Sequence, residues 1–204
     1  ARDFFRLKDD PRLNIIHEDG RMFINRTESG KYDAILMDAF GSLFSVPTHL
    51  TTIEAVQQFH RILTDDGVII FNLGSAITGP ASNFLQAELA TYKQAFPHVY
   101  LFKVHPDYPD DKLQNLIIVA SKSPKAPSLS EARWPLSSPP IGGVDAASAD
   151  GVVADATVAT SNLSSLLANL YTANLPLTKP PLTDNLAPVE HYNSTAQNIY
   201  LTTR

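Results

Sequence analysis

Residues 32–40 read Tyr-Asp-Ala-Ile-Leu-Met-Asp-Ala-Phe, and no other stretch limits the fold as strongly. Ile35, Leu36 and Met37 follow one another, so an extended segment here needs cover on both faces. A strand of that kind sits inside a layered sheet. Asp38 then falls where the chain leaves the sheet. Ligands of open α/β sheets bind outside the carboxyl ends of the strands, which makes an acid at this point a candidate for chemistry. An Asp that merely caps a turn would look the same.

The rest of the first 122 residues alternates in the same way. Residues 1–8 read as the end of a helix broken by Asp9-Asp10-Pro11. Residues 13–17, Leu-Asn-Ile-Ile-His, predict a short strand that ends in Glu18-Asp19-Gly20, and residues 21–27 predict one or two helical turns. After a Gly-, Ser- and Pro-bearing loop over 41–48, Thr51 and Glu54 have the spacing of a capping box. Leu50, Ile53, Val56, Phe59 and Leu63 then recur at helical spacing, up to a break at Thr64-Asp65-Asp66-Gly67. Residues 68–71 predict a second buried strand that delivers Asn72. Leu85, Leu89, Tyr92 and Phe96 predict a second amphipathic helix, stopped by Pro97. Strands follow over 99–104 and 116–120, antiparallel if the polar loop 105–114 returns directly. Strands alternating with helices predict an α/β layered domain with a largely parallel sheet.

Beyond Lys122 the composition shifts. Residues 123–150 are rich in Pro, Ser, Ala and Gly and read as a linker. Leu163, Leu166, Leu167 and Leu170 predict a helix over 161–172 capped by Ser161, and 175–188 is Pro-rich. The chain thus divides into 1–122 and a 123–204 extension. Hydrophobic residues make up 44%, enough for a core. A net charge of -5 without a basic cluster argues against nucleic acid as a partner. There is no cysteine, so no disulfide and no thiolate-bound metal. No apolar run approaches the roughly 18–20 residues of a membrane span, and no signal peptide is present, so a cytoplasmic location is expected.

Candidate chemistry gathers at strand ends. Asp19 could accept a hydrogen bond from the amino group of a bound base, with Gly20 letting the backbone turn beside it; an ordinary Asp-Gly turn explains the pair equally well. Asp38, Asn72 and Tyr108 would offer an acid, an amide and a phenol to one crevice, where the carboxylate could bind a cationic amine or take its proton. If residues 161–190 fold back over the sheet edge, they bring Asp184 to the same crevice. The six histidines have no metal-ligand spacing. Walker A, GxSxG and GxGxxG motifs are absent.

From Arg12 to Lys122 these residues resemble the second half of the spermidine synthase (polyamine aminopropyltransferase) catalytic domain. The resemblance is carried by Asp19-Gly20-Arg21-Met22-Phe23, by Lys31 through Asp38, by Leu63-Thr64-Asp65-Asp66-Gly67-Val68, by Ala95-Phe96-Pro97-His98-Val99 and by Pro106-Asp107-Tyr108-Pro109. It implies a Rossmann-like S-adenosylmethionine-dependent transferase fold whose Gly-rich strand–turn–helix would precede Ala1. It implies Asp19 at the adenine of the nucleoside, Asp38 as the catalytic base toward the amine and Tyr108 holding that amine. Gly20 joins them as a cofactor-binding candidate, and Asn72 and Asp184 as substrate-binding candidates, on the placement of these residues alone. The cosubstrate would be decarboxylated S-adenosylmethionine, or S-adenosylmethionine itself if the chain is a methyltransferase, with no metal. The partner would be a small-molecule amine. A homodimer, and a longer parent protein with membrane segments or the missing N-terminal half, are the wider expectations; a non-catalytic binding module is the third functional alternative. Two departures stand out. Gly41 occupies the position of the family's second loop carboxylate, and Asn72 replaces a usual Gln.

Overall fold

A computed structural model describes residue 8 and residues 10–41, 46–125 and 168–202. In chain order the elements are α1 (Gly20–Arg26), β1 (Tyr32–Met37), a 3₁₀ turn (Thr48–Leu50), α2 (Ile53–Ile62), β2 (Leu63–Ser75), a second 3₁₀ turn (Pro80–Ser82), α3 (Asn83–Ala95), β3 (His98–Lys103), β4 (Gln114–Ser121) and α4 (Val189–Thr202). The helix end expected over residues 1–8 falls outside the described residues except for Lys8, as do loop residues 42–45 and the linker from residue 126 onward.

The four strands stand in the order β1-β2-β4-β3. β1 and β2 are parallel, with α2 as the crossover that parallel pairing requires. The β2–β4 and β3–β4 pairs are antiparallel, as the ten-residue return loop predicted for the last two. In register, Ile35 lies opposite Ile69 and Met37 opposite Phe71, while Phe71 and Leu73 lie opposite Ile118 and Leu116. These side chains share one core with Val56, Phe59 and Ile62 of α2 and Phe84, Leu85 and Tyr92 of α3. The Tyr92 ring stacks on Phe71 and on Phe96, each at 6.0 Å.

Three local expectations are corrected. The cap of α2 is Thr52, whose hydroxyl accepts the Ala55 amide at 3.4 Å. Thr51 instead donates to the Thr48 carbonyl at 2.8 Å, closing the 3₁₀ turn, and Glu54 accepts the Asp184 amide at 3.0 Å. Second, α2 passes straight into a 13-residue β2 with no break at 64–67. Gly67 makes this possible: a Cβ there would sit 2.9 Å from both the Leu63 Cβ and the Thr64 carbonyl. The close approach coincides with a jump in register, from Tyr32–Leu63 to Ala34–Val68. Gly67→Ala is therefore expected to destabilise the fold by about 1–3 kcal/mol, seen as a lower urea midpoint at unchanged slope.

Third, residues 13–17 form no strand and belong to no ladder, and Leu13, Ile15 and Ile16 are exposed. A strand needs a partner. Among the described residues nothing pairs with this segment or with the second edge of β1, where Leu36 is 75% exposed.

The C-terminal residues return across the domain. The Lys103 amide donates to Asn169 and the Tyr171 amide to Leu101, so residues 169–171 extend the sheet at the outer edge of β3. Residues 168–172 therefore do not continue the helix expected over 161–172, whose first part, 161–167, lies outside the described residues. The chain then crosses α3 and α2. Thr178 bonds Gln86, the Leu182 amide donates to the Thr91 hydroxyl, and the Leu182 carbonyl accepts the Ile53 amide. Leu182, Val189 and Tyr192 are buried in the shared core.

Candidate active site

Because Met37 and Phe71 are in register, the next residues along both strands, Asp38 and Asn72, are neighbours. The Asn72 amide nitrogen donates to Asp38 Oδ1 at 2.9 Å. Asn72 does not end its strand as expected; β2 continues to Ser75. Its amide oxygen is buried and has no partner. Asp38 is exposed and lines a cleft of about 530 Å³ with Gly20, Ile24, Met37, Ala39 and Leu50. An exposed carboxylate with one oxygen pinned by Asn72 presents acceptor lone pairs to a group rich in N–H donors.

Asp19 caps α1. Its Oδ1 accepts the Met22 amide at 3.0 Å, and Oδ2 lies 3.0 Å from His49 Nε2. The Met22 amide, followed by the His49 imidazole, holds the Asp19 carboxyl below its ordinary value. Gly20 opens the helix, and a Cβ there would meet the Leu50 methyl groups at 3.6 Å. Gly20 lines the cleft that Asp38 borders, whereas Asp19, its oxygens engaged by Met22 and His49, is not part of that lining.

The C-terminal return brings Asp184 beside Arg21 and Thr52, into a polar hollow of about 480 Å³ that does not include Asp38. Asp184 Oδ2 accepts from the Arg21 guanidinium at 3.1 Å and Oδ1 from the Thr52 hydroxyl at 2.5 Å. Arg21 also donates to the His49 carbonyl at 2.9 Å, linking this hollow to the Asp19–His49 pair.

Tyr108 lies in the loop between β3 and β4. That loop is at the Ser75 end of the sheet, since Gln114 pairs with Ser75. The Tyr108 ring stacks on His105 at 4.6 Å, and the Lys112 ammonium stands 3.6 Å from its centroid. Lys103 Nζ donates to the Tyr108 carbonyl at 2.5 Å and to Asp110 Oδ1 at 3.0 Å. Tyr171 donates to Asp110 Oδ2 at 2.9 Å, and burial, then Asp110, push its hydroxyl above the ordinary value. No hydrogen bond among the described residues joins Tyr108 to Asp38 or Asn72. The structure therefore brings Asp38 and Asn72 together, sets Gly20 in the cleft that Asp38 lines, and leaves Asp19 and Tyr108 outside that lining. His49, Arg21, Lys103 and Asp110 escaped the sequence reading. Lys103 carried a signal: it pairs with Leu116 on the core face of an apolar strand, a position where an ammonium requires buried acceptors.

Among the described residues no helix is long and apolar enough to cross a membrane, and no group of three or more His, Cys, Asp or Glu side chains is placed to hold a metal ion.

A mixed α/β sheet, with one parallel pair of three among the described residues where a largely parallel sheet was expected, together with an acid at a strand's carboxyl end and an Asp-Gly turn before it, defines a Rossmann-like transferase domain. The family described as spermine/spermidine synthase domain matches residues 2–129, and the chain belongs to that family. A polyamine aminopropyltransferase of Vibrio vulnificus is 31% identical over 106 residues, covering 51% of this chain and 33% of that protein. One from Clostridium acetobutylicum is 32% identical over 104 residues, covering 50% and 36%. An N-terminal histidine N-methyltransferase of Emericella nidulans is 31% identical over 122 residues, covering 55% and 20%. Among solved structures, a probable spermidine synthase from Corynebacterium glutamicum superposes with a TM-score of 0.52 at 27% identity, over 60% of this chain and 42% of that one. The chain spans about a third of the length of the curated aminopropyltransferases it matches.

Proposed function

We propose that this chain carries the acceptor side of a transferase site that moves an aminopropyl group from decarboxylated S-adenosylmethionine to an amine. The observation that carries this reading is the Asn72–Asp38 hydrogen bond: it fixes one oxygen of an exposed strand-end carboxylate. An ammonium group suits the exposed Asp38 carboxylate, and Asp19, next to Gly20 of the cleft lining, is the candidate acceptor for the amino group of adenine. In the reaction, the amine lone pair attacks the carbon next to the sulfonium. The C–N bond forms as the C–S bond breaks, the sulfur leaves in the thioether methylthioadenosine, and the amine proton passes to Asp38. Tyr108 holds the far side of the acceptor. Catalysis by such a site is positioning combined with charge complementarity.

Methyl transfer from S-adenosylmethionine is the second reading. It is favoured by Gly41, which removes a carboxylate anchor for a polycation, and by the N-methyltransferase among the relatives. Calorimetry with both nucleosides separates the two. The first reading expects the decarboxylated form to bind at least about tenfold tighter; tighter binding of S-adenosylmethionine, with methyl transfer to an amine, replaces it by the second. If neither nucleoside binds, the chain acts as a non-catalytic module.

A further inference from the structure

The Lys103 side chain is only 12% exposed, so its ammonium depends on protein acceptors. It has two: the Tyr108 carbonyl and Asp110 Oδ1. The other carboxylate oxygen of Asp110 takes the Tyr171 hydroxyl, and the Asp110 carbonyl accepts the amides of Ile77 and Thr78 at 2.7 and 3.0 Å. One residue therefore joins three segments: the loop after β2, the loop that bears Tyr108, and the returning C-terminal chain. The match to the family ends at residue 129, so Tyr171 comes from outside the matched domain.

We propose that Asp110 and Tyr171 are positioning residues for Tyr108: through the Lys103 ammonium, the C-terminal segment sets where the acceptor side of the site stands. This deepens the aminopropyl-transfer reading and rests on it for its functional meaning. With the tie intact, the Tyr108 main chain is held at a fixed distance from β3. Without it, Lys103 loses its charged partner and Asp110 its link to the C-terminal segment, while the main-chain bonds of the loop and the His105 and Lys112 contacts of the ring remain. The reach of the site toward an acceptor amine would then vary.

The test uses the full chain with Asp110→Asn, Tyr171→Phe and the double variant. Carbon-13-labelled tyrosine, with the Tyr108 signal assigned by Tyr108→Phe, reports the ring, and hydrogen exchange reports the loop. Each single variant is expected to move the Tyr108 ring signals toward those of free tyrosine. Exchange over residues 105–113 should rise about tenfold, with β2 and α3 unchanged. In the transfer assay the acceptor KM should rise about tenfold at constant nucleoside affinity, and the double variant should be no worse than the weaker single one. Unchanged ring signals and loop exchange in both singles would overturn the proposal. So would exchange rising equally throughout the chain, which marks a purely structural tie. If the wild-type chain transfers nothing, the aminopropyl reading fails, and the ring and exchange data still decide whether the tie positions Tyr108.

Discussion

Asp38→Asn is expected to reduce aminopropyl transfer about a thousandfold, within the range that a positioned proton acceptor contributes. The amide has the shape of the carboxylate, and its oxygen can still accept from Asn72 Nδ2, so the fold and melting temperature should not change. What is lost is the charge that attracts the amine and the base that takes its proton. Single-turnover measurement with saturating nucleoside isolates this step. Near wild-type turnover in the variant would remove Asp38 from the chemistry and the proposed reaction with it.

The second large effect concerns stability. Glu88, on the sheet-facing side of α3, is fully buried, and neither of its carboxyl oxygens has a hydrogen-bond partner. The Tyr92 hydroxyl, one turn on, is also buried and unpartnered. Burial pushes the Glu88 carboxyl well above its ordinary value of 4.5, so the folded protein keeps it neutral while the unfolded chain ionises it. The sign follows directly. The neutral form's contribution is complete below the unfolded value. It declines as the pH rises from there toward the raised folded value, by about 1.4 kcal/mol per pH unit. Glu88→Gln should remove that slope. Glu88→Met should also remove the unpartnered oxygens and raise stability near neutral pH by about 1–3 kcal/mol. At this chain length that is about 2–4 °C of melting temperature per kcal/mol. Urea titrations in mildly acidic and mildly alkaline buffer should show the gap between variant and wild type widening with pH. A Met variant less stable in both buffers would mean that the carboxyl supports the fold.

The elements that were legible in the sequence are those specified locally. Val68 to Phe71 form a continuous apolar run, and α2 and α3 keep helical spacing, so these elements could be read without knowing their neighbours. Of Ile35 to Met37, expected to be covered on both faces, only Met37 is buried, because β1 is an edge of the described sheet and Leu36 is 75% exposed. The meeting of Asp38 with Asn72 was legible for the same reason, because both follow buried strand residues. What escaped depends on distant partners. Residues 13–17 have the composition of a strand, but pairing is not a property of five residues. The α2 cap moved by one position because the 3₁₀ turn ahead of it claims Thr51. Asp184 goes to Arg21 because of the path taken by the returning chain. The helix α4 was missed because Asn193, Ser194 and Thr195 are weak helix formers; Val189 and Tyr192 make it helical by packing into the core.

That returning chain also sets the schedule of biosynthesis. The Ile53 amide, at the start of α2, finds its acceptor on Leu182, so the first helix crossover waits for residues made 129 positions later, counting from 53 to 182. A ribosome releases the strands and helices of the sheet well before the segment that seals them. During that interval the apolar surface that Leu182, Val189 and Tyr192 later cover stays open, the kind of exposure that favours aggregation. The seal on α2 and α3 is thus the last part of the described domain to be synthesised.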